Sequence, residues 1–210
     1  MEFNIEKFQA FYADILKEVG NIGAGNAATA LSKMINKKID MEVPHVEIIP
    51  TEEIVAILGG EELIVVGIYV GFFEDINGTI LFILNKDSAD NLINMLFGLN
   101  KKYDEYEIYN EMEFSAMQEI GNILASSYIN SISSLSNLNI NISVPSVTVD
   151  MAGSILSVPA IEYSQISDQM ILIENKLKEG NNEIVGKIFV LPDMESYEKL
   201  LESLGVNIDG

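Results

Sequence analysis

The chain has 210 residues, a formal net charge of −20 at pH 7, no cysteine and no arginine. The charge argues against nucleic acid and anionic membranes as partners, because both are bound through basic patches, and the missing arginine excludes an arginine finger supplied by this chain. The missing cysteine excludes disulfides and thiolate metal sites, and together with the lack of a visible signal peptide or long apolar run it predicts a cytoplasmic protein that does not span a membrane.

The first half is predicted to fold as a helix, a strand, a hairpin and a second helix. The predicted elements are a helix at Ile5–Asn36, strands at Met41–Ile49, Leu63–Phe72 and Thr79–Leu84, a short helical piece at Thr51–Leu58 and a helix at Ser88–Phe97 ending at Gly98. Asn77-Gly78 is typical of a tight hairpin turn between two strands. The polar segment Asn100–Glu105 is predicted to link this half to the next.

The second half is predicted to repeat this order. Its predicted elements are a helix at Glu107–Leu135, strands at Asn141–Asp150, Met170–Lys178 and Glu183–Leu191, a short helical piece at Pro159–Ile166, a turn at Gly180-Asn181-Asn182 and a helix at Met194–Leu204. Asp14–Val46 superposes on Ser115–Val147 with a constant offset of 101 and no gap. We therefore expect an internally duplicated α+β fold with pseudo-two-fold symmetry, about six strands in a sheet and two long repeated helices.

The duplication also predicts the domain organisation. Residues 1–100 form the first repeat and residues 101–210 the second, and the two are expected to make one compact domain. The segment Glu18-Val19-Gly20-Asn21-Ile22 is nearly identical to Glu119-Ile120-Gly121-Asn122-Ile123.

Each long helix is predicted to carry a polar stripe beside its core face. In the first helix, a stripe of apolar residues faces the core, and it consists of Phe8, Phe11, Ile15, Val19 and Ile22. Asp14, Glu18, Asn21 and Gly25 form a second stripe about 110° away, at spacings that stack side chains on one ridge. In the second helix, the stripe is Ser115, Glu119, Asn122 and Ser126, against core positions Ile120 and Ile123.

A single Glu-x-x-Asn on a helix is most often a solvated polar face. Here both members recur in the same register although the loops have diverged, and helix propensity does not favour asparagine in a helix interior. The recurrence therefore favours a functional pair, Glu18 with Asn21 and Glu119 with Asn122.

Other candidate sites are weaker. The glycines at 20, 23 and 25 lack the context of a phosphate-binding loop, and they instead favour close approach by the sheet, the other long helix or a partner protein. His45 is expected to be an ordinary strand-edge residue. With one histidine and no carboxylate cluster at ligand spacing, we expect no metal site in this chain.

The paired motifs resemble the CheC / CheX / FliY family of chemotaxis phosphatases, and most closely its CheC branch. The resemblance covers nearly the whole chain. It rests on Asp14-x-x-x-Glu18-x-x-Asn21, on Ser115-x-x-x-Glu119-x-x-Asn122, on the run from Gly20 to Ala28 and on Asp150-Met151-Ala152-Gly153. The second copy departs from the first at Ser127, which stands where the first copy has Asn26. It also lacks the glycine run of the first copy.

The resemblance implies a phosphatase that removes the phosphoryl group from the aspartyl phosphate of a CheY-type response regulator. It also implies a second partner, the receptor deamidase CheD, and a Mg²⁺ ion and a lysine that belong to the regulator rather than to this chain. A neutral amide can hold the attacking water without repelling phosphoryl oxygens, so Asn21 and Asn122 are predicted to position water. Glu18 and Glu119 are predicted to dock on the regulator's lysine, with Asp14 and Ser115 in supporting roles.

Two alternatives remain open from the sequence. The first is a binding module without turnover, which sequesters the phosphorylated regulator or serves as an adaptor for CheD. The second is a scaffolding duplicate whose Glu and Asn are plain surface residues.

Overall fold

The computed structural model describes the backbone of residues 5–104, 109–162, 169–180 and 182–205, with the side chains of 5–13 and 158–162 outside the description. The helices are α1 (Ile5–Ile35), α2 (Ile54–Leu58), α3 (Lys86–Phe97), α4 (Glu111–Ser136), α5 (Ala152–Glu162) and α6 (Met194–Ser203), and a 3-10 turn at Thr51–Glu53 precedes α2. The strands are β1 (Asp40–Pro50), β2 (Ile64–Glu74), β3 (Gly78–Asn85), β4 (Ile140–Ile142), β5 (Ser146–Met151), β6 (Gln169–Glu179) and β7 (Asn182–Pro192).

The strands form one antiparallel sheet in the order β1-β6-β7-β3-β2-β4, and β5 also pairs with β2. Each half contributes a hairpin, β2 with β3 and β6 with β7, and the two hairpins meet where β3 pairs with β7. The first strand of each half crosses to the other half: β1 pairs with β6, and β4 and β5 pair with β2. The duplicated α+β fold is thus confirmed, with a reciprocal exchange of edge strands.

Helices cover both faces of the sheet. The larger core lies between the sheet and helices α1, α3, α4 and α6, and it includes Val19, Ile120 and Tyr128. The smaller core lies on the opposite face, where Ile54 of α2 and Ile155 of α5 pack on alternate strand residues such as Leu81. Strand β3 is buried on both faces, which explains its nearly continuous apolar sequence.

The two long helices end in the same way. Asn36 and Asn137, which are 101 residues apart, both adopt left-handed backbone angles, with φ of 53° and 58°. Asparagine tolerates this conformation better than most residues and stops a helix. At its start, α4 has a capping box in which the Asn110 side chain accepts from Glu113 N and the Glu113 carboxylate accepts from Asn110 N.

Three predictions about local structure were wrong in detail. The predicted strand Asn141–Asp150 is two strands, so the sheet has seven rather than about six among the described residues. The Asn77-Gly78 turn is displaced: Gly78 belongs to β3 and pairs with Phe72, while Glu74 takes the positive φ of 103°. Gly78 is needed for close approach, since a Cβ there would collide with the Leu191 carbonyl and the Phe72 ring.

The third error concerns the short helix of the second half. It spans Ala152–Glu162 rather than Pro159–Ile166, and residues 163–166 lie outside the described residues. The turn residue Asn181 and the linker residue Glu105 also lie outside them. The rest of the predicted linker, Asn100–Asp104, is in neither helix nor strand.

Candidate functional site

The first candidate site is an exposed ridge on α1. Asp14, Glu18, Asn21 and Gly25 are all exposed, as the helical spacing predicted. Glu18 and Asn21 are three residues apart, which places their Cβ atoms about 5–6 Å from each other on one face. The core stripe was predicted only in part: Val19 is buried, Ile15 and Ile22 are half-buried, and Leu16, which the stripe omitted, is buried, while Phe8 and Phe11 lie outside the described side chains.

The second candidate site lies on α4 and is less open. Ser115 and Glu119 are exposed, whereas Asn122 and Ser126 are half-buried, so the predicted ridge is fully exposed only in its first half. Ile120 is buried beneath it and Ile123 is half-buried.

The second site opens into a cleft of about 390 Å³. Residues of α4 form one wall and the connection between β4 and β5 forms the other, and the lining residues are Ser115, Gln118, Glu119, Asn122, Ile142, Ser143, Val144 and Pro145. Glu119 and Asn122 therefore share a concave site with residues from a distant part of the chain.

Three hydrogen bonds hold the outer wall of this cleft. The Gln118 side-chain amide donates to the Pro145 carbonyl over 3.3 Å. Ser143 N donates to the Gly71 carbonyl over 2.8 Å, and Gly71 N donates to Ser143 Oγ over 2.9 Å, so a side chain replaces one bond of the ladder where the strand breaks. Sequence reasoning missed Gln118 and 143–145; the available signal was Pro145, which cannot donate to a ladder.

Val43, which corresponds to Val144 in the first half, has the opposite environment. Val43 is only 9% exposed, whereas Val144 is 85% exposed. Strand β1 passes through Val43 with a register shift between Glu42 and His45 and no break. Val43 packs on α1, with Cγ1 3.1 Å from where a Cβ on Gly20 would lie. The two Glu–Asn pairs thus sit in different surroundings.

The glycines on α1 receive side chains from neighbouring elements. Gly20 faces Val43, Val46 and Ile173, and a Cβ on Gly23 would lie 2.6 Å from the Tyr128 ring of α4. Burial raises the pKa of Tyr128, whose hydroxyl donates to the Asn175 side chain. The predicted close approach is therefore made by strand and α4 side chains rather than by backbone, and Gly25 has no neighbour within 4 Å.

The contacts between α1 and α4 show the relative direction of the two helices. Gly23 meets Tyr128, and the Ser131 hydroxyl, five residues before the end of α4, lies 3.0 Å from the Val19 carbonyl. The helices therefore pack antiparallel. By the helical rise, the levels of Asn21 and Asn122 along the common axis differ by on the order of 10 Å. The structure keeps the two Glu–Asn pairs apart on separate helices.

The described residues do not bring metal-ligating side chains together. Within the part of the chain that the structure describes, no group of three or more His, Cys, Asp or Glu side chains could hold a metal ion. His45 is exposed on edge strand β1, and its Nε2 lies 2.9 Å from Glu47 Oε2.

Of the described helices, none combines the length and apolarity needed to cross a bilayer.

Comparison with known proteins gives consistent matches. The CheC-like family model matches residues 11–48 and 112–149, two segments that are 101 residues apart and contain both Glu–Asn pairs. The chain is 37% identical over 198 residues to the Bacillus subtilis protein named CheY-P phosphatase CheC, covering 93% of this chain and 94% of that one. It is also 31% identical over 134 residues to the flagellar motor switch phosphatase FliY of the same organism, covering 64% of this chain and 34% of that one.

The fold is also found in a solved structure. The crystal structure of Thermotoga maritima FliY superposes with a TM-score of 0.71 at 22% identity, covering 98% of both chains. That similarity describes the fold, and the sequence identity to the Bacillus subtilis protein identifies the relationship. The chain belongs to the CheC-like family.

Proposed function

We propose that this chain is a phosphatase that hydrolyses the aspartyl phosphate of a CheY-type response regulator, with one site on α1 and one on α4. The observation that carries the proposal is the 37% identity, over nearly the full length of both chains, to a protein named CheY-P phosphatase. The presentation of a Glu–Asn pair at the surface of both long helices supports it.

The chemistry assigned to Asn21 and Asn122 is water positioning. The amide carbonyl accepts a hydrogen bond from the attacking water, and the amide NH₂ donates to the water or to a phosphoryl oxygen. An amide carries no charge, so it can approach the phosphoryl group without the repulsion that a carboxylate would meet. An aspartyl phosphate is already activated, and a water held in line with the leaving oxygen is the main requirement.

Glu18 and Glu119 are assigned to docking. Each carboxylate is exposed one helical turn from its asparagine and can pair with a lysine beside the regulator's phosphorylation site. The net charge of −20 favours approach by a basic surface of the partner. Asp14 and Ser115, one turn before the glutamates, are assigned supporting roles in orienting the pair.

The metal chemistry is assigned to the partner. We propose that activity requires Mg²⁺ held in the regulator's own acidic site, and that this chain alone binds no stoichiometric Mg²⁺. Calorimetric titration of MgCl₂ into the isolated chain is expected to give no saturable heat. A stoichiometric isotherm would contradict this assignment.

The receptor deamidase CheD is proposed as a second partner, on the family resemblance, and the protein is proposed to act in the cytoplasm. Co-purification of the two proteins at micromolar concentration tests the first point. The absence of a complex would remove CheD from the proposal and leave the phosphatase assignment in place.

The decisive experiment follows the decay of phosphorylated Bacillus subtilis CheY with and without this chain. At one molecule of chain per many of regulator, the expected result is an accelerated decay with repeated turnover. Protection of the phosphorylated regulator at stoichiometric amounts, without turnover, would instead favour a binding module. No effect at any ratio would favour a scaffold.

A further inference from the structure

Val144 is an exposed apolar side chain beside the second site. It is 85% exposed and lines the same cleft as Glu119 and Asn122. A single exposed valine is common on protein surfaces and by itself has no meaning. Two further observations indicate that the exposure of Val144 has a functional role.

The first observation is that its position is held firmly. The residue before it is bonded to Gly71 through both N–H and hydroxyl groups, and the residue after it accepts a hydrogen bond from Gln118. A side chain held at both neighbours loses little conformational entropy when a partner covers it.

The second observation is the contrast with Val43. In the first half, the valine of the Val-Pro pair is buried and packs against α1 at Gly20, so its apolar character has a role in the core. In the second half, the valine at the same position is exposed and lines the cleft, so its side chain has no comparable place in the core. Its apolar surface is therefore open to a partner that enters the cleft.

We infer that Val144 is a docking contact for the phosphorylated response regulator at the second site, a contact that the first site lacks. The inference rests on the proposed function. Because Val144 and Asn122 line one cleft, a protein whose phosphoryl group reaches the Asn122 amide also covers the wall that carries Val144. The regulator therefore presents an apolar patch beside its phosphorylation site, and the second site binds it through apolar contact in addition to Glu119.

The test uses Val144→Thr, which keeps the shape and the branching of valine but replaces a methyl by a hydroxyl. The variant is made in an Asn21→Ala background, so that turnover passes through the second site. The matched control is Val185→Thr in the same background. Val185 is an exposed strand valine on β7, and it alternates with Ile184, which faces the core between the sheet and α4.

Initial rates of decay of phosphorylated Bacillus subtilis CheY over a range of concentrations give KM and kcat separately. Val144→Thr is expected to raise KM about four- to tenfold, because burial of a methyl is lost and a hydroxyl must be desolvated, and to leave kcat nearly unchanged. Val144→Ile is expected to keep KM at or below the background value. Val185→Thr is expected to leave both constants unchanged.

An unchanged KM for Val144→Thr in an active background would overturn the docking contact and leave the proposed phosphatase intact. An equal rise in KM for Val185→Thr, or for Val144→Thr in an Asn122→Ala background, would reveal a general effect and also overturn it. If the unsubstituted chain does not accelerate decay, the proposed function fails together with the inference. If only the Asn21→Ala background is inactive, the second site does not act alone and the docking contact is overturned.

Discussion

The two candidate sites share a Glu–Asn pair at the same helical spacing and differ in what surrounds it. On α1, Glu18 and Asn21 lie on an open ridge, and the nearby valine is buried under the helix. On α4, Glu119 and a half-buried Asn122 line a cleft whose far wall carries an exposed valine. The residue before each Val-Pro pair accounts for part of this difference.

In the first half that residue is Glu42, whose carboxylate lies 2.9 Å from Lys178 on the neighbouring strand and leaves β1 continuous. In the second half it is Ser143, which directly follows the end of β4 and whose hydroxyl accepts a hydrogen bond from Gly71 N–H. The two repeats therefore differ in this strand, which is a continuous edge in the first half and two pieces with a projecting connection in the second. The comparison teaches that a duplicated sequence motif does not guarantee a duplicated site.

The largest effect is expected from removing both asparagine amides that are proposed to position water. Asn21→Ala with Asn122→Ala should reduce the regulator's accelerated decay by roughly 10²–10³, the usual cost of losing such a group. Each single variant should keep what the untouched site contributes, because the pairs lie on separate helices. Decay assays on folded variants measure this, and a single variant as inactive as the double would mean one composite site.

A second effect concerns the packing of the Tyr128 ring against Gly23 on α1. Gly23→Ala should lower the free energy of unfolding by about 1–2 kcal/mol, because the new methyl meets the buried Tyr128 ring and alanine's better helix propensity offsets only part of the strain. Gly25→Ala is the matched control, since a methyl there has no neighbour within 4 Å. It should be neutral or stabilising by up to about 1 kcal/mol. Urea denaturation compares the stability of the two variants. Equal changes in the free energy of unfolding would contradict the close contact between position 23 and Tyr128.

A third effect tests whether the carboxylates dock or support the fold. Glu18→Lys with Glu119→Lys should raise KM about tenfold, equal to about 1.4 kcal/mol of binding, and change stability by no more than about 0.5 kcal/mol. The control is Glu198→Lys with Glu202→Lys on α6, since both pairs change the net charge from −20 to −16 and all four side chains are exposed. Equal KM values for the two double variants would attribute the effect to general charge. A core-like loss of melting temperature would make the glutamates structural.

The smallest effect concerns the carboxylates that tie each exchanged strand to the opposite half. Asp75 accepts from Asn139 N, just before β4, and Glu179 pairs with Lys37, just before β1, at 2.8 Å and 3.1 Å. The Asn139 N–H and Lys199 lower the pKa of Asp75, and Lys37 and Asn182 lower the pKa of Glu179. Lowered folded-state pKa values mean that the stabilisation is present above the unfolded pKa of about 4 and is lost as the pH falls through the folded value.

Asp75→Asn and Glu179→Gln should therefore lower the Tm slightly at pH 7, and the loss should shrink as the pH falls below about 4. Both carboxylates remain partly exposed to solvent, which screens their interactions, so the effects are small. Thermal unfolding from pH 3 to pH 7 measures them. A Tm loss that persists unchanged at pH 3 would show that the charges are not its cause.

Much of the local structure was predictable from the sequence, because local patterns carry it. The 3.6-residue periodicity placed both long helices, Gly98 marked the end of α3, and the constant offset of 101 revealed the duplication and paired Glu18 with Asn21 and Glu119 with Asn122. The exposure of the first ridge followed from helical geometry alone. These features depend on residues within a few turns of one another, which a sequence displays directly.

Only the tertiary structure decided which strand pairs with which and what faces each site. An alternating strand such as β1 has the same pattern whether its partner is β2 of its own half or β6 of the other, so the exchange of edge strands left no local signal. Gly23 lies on α1, whereas the Tyr128 ring that packs against it lies on α4. The wall of the cleft at Asn122 depends on a hydrogen bond between Ser143 and Gly71, which are 72 residues apart. Contacts between segments that are distant in sequence decide these features, and the spacing of residues within one segment cannot specify them.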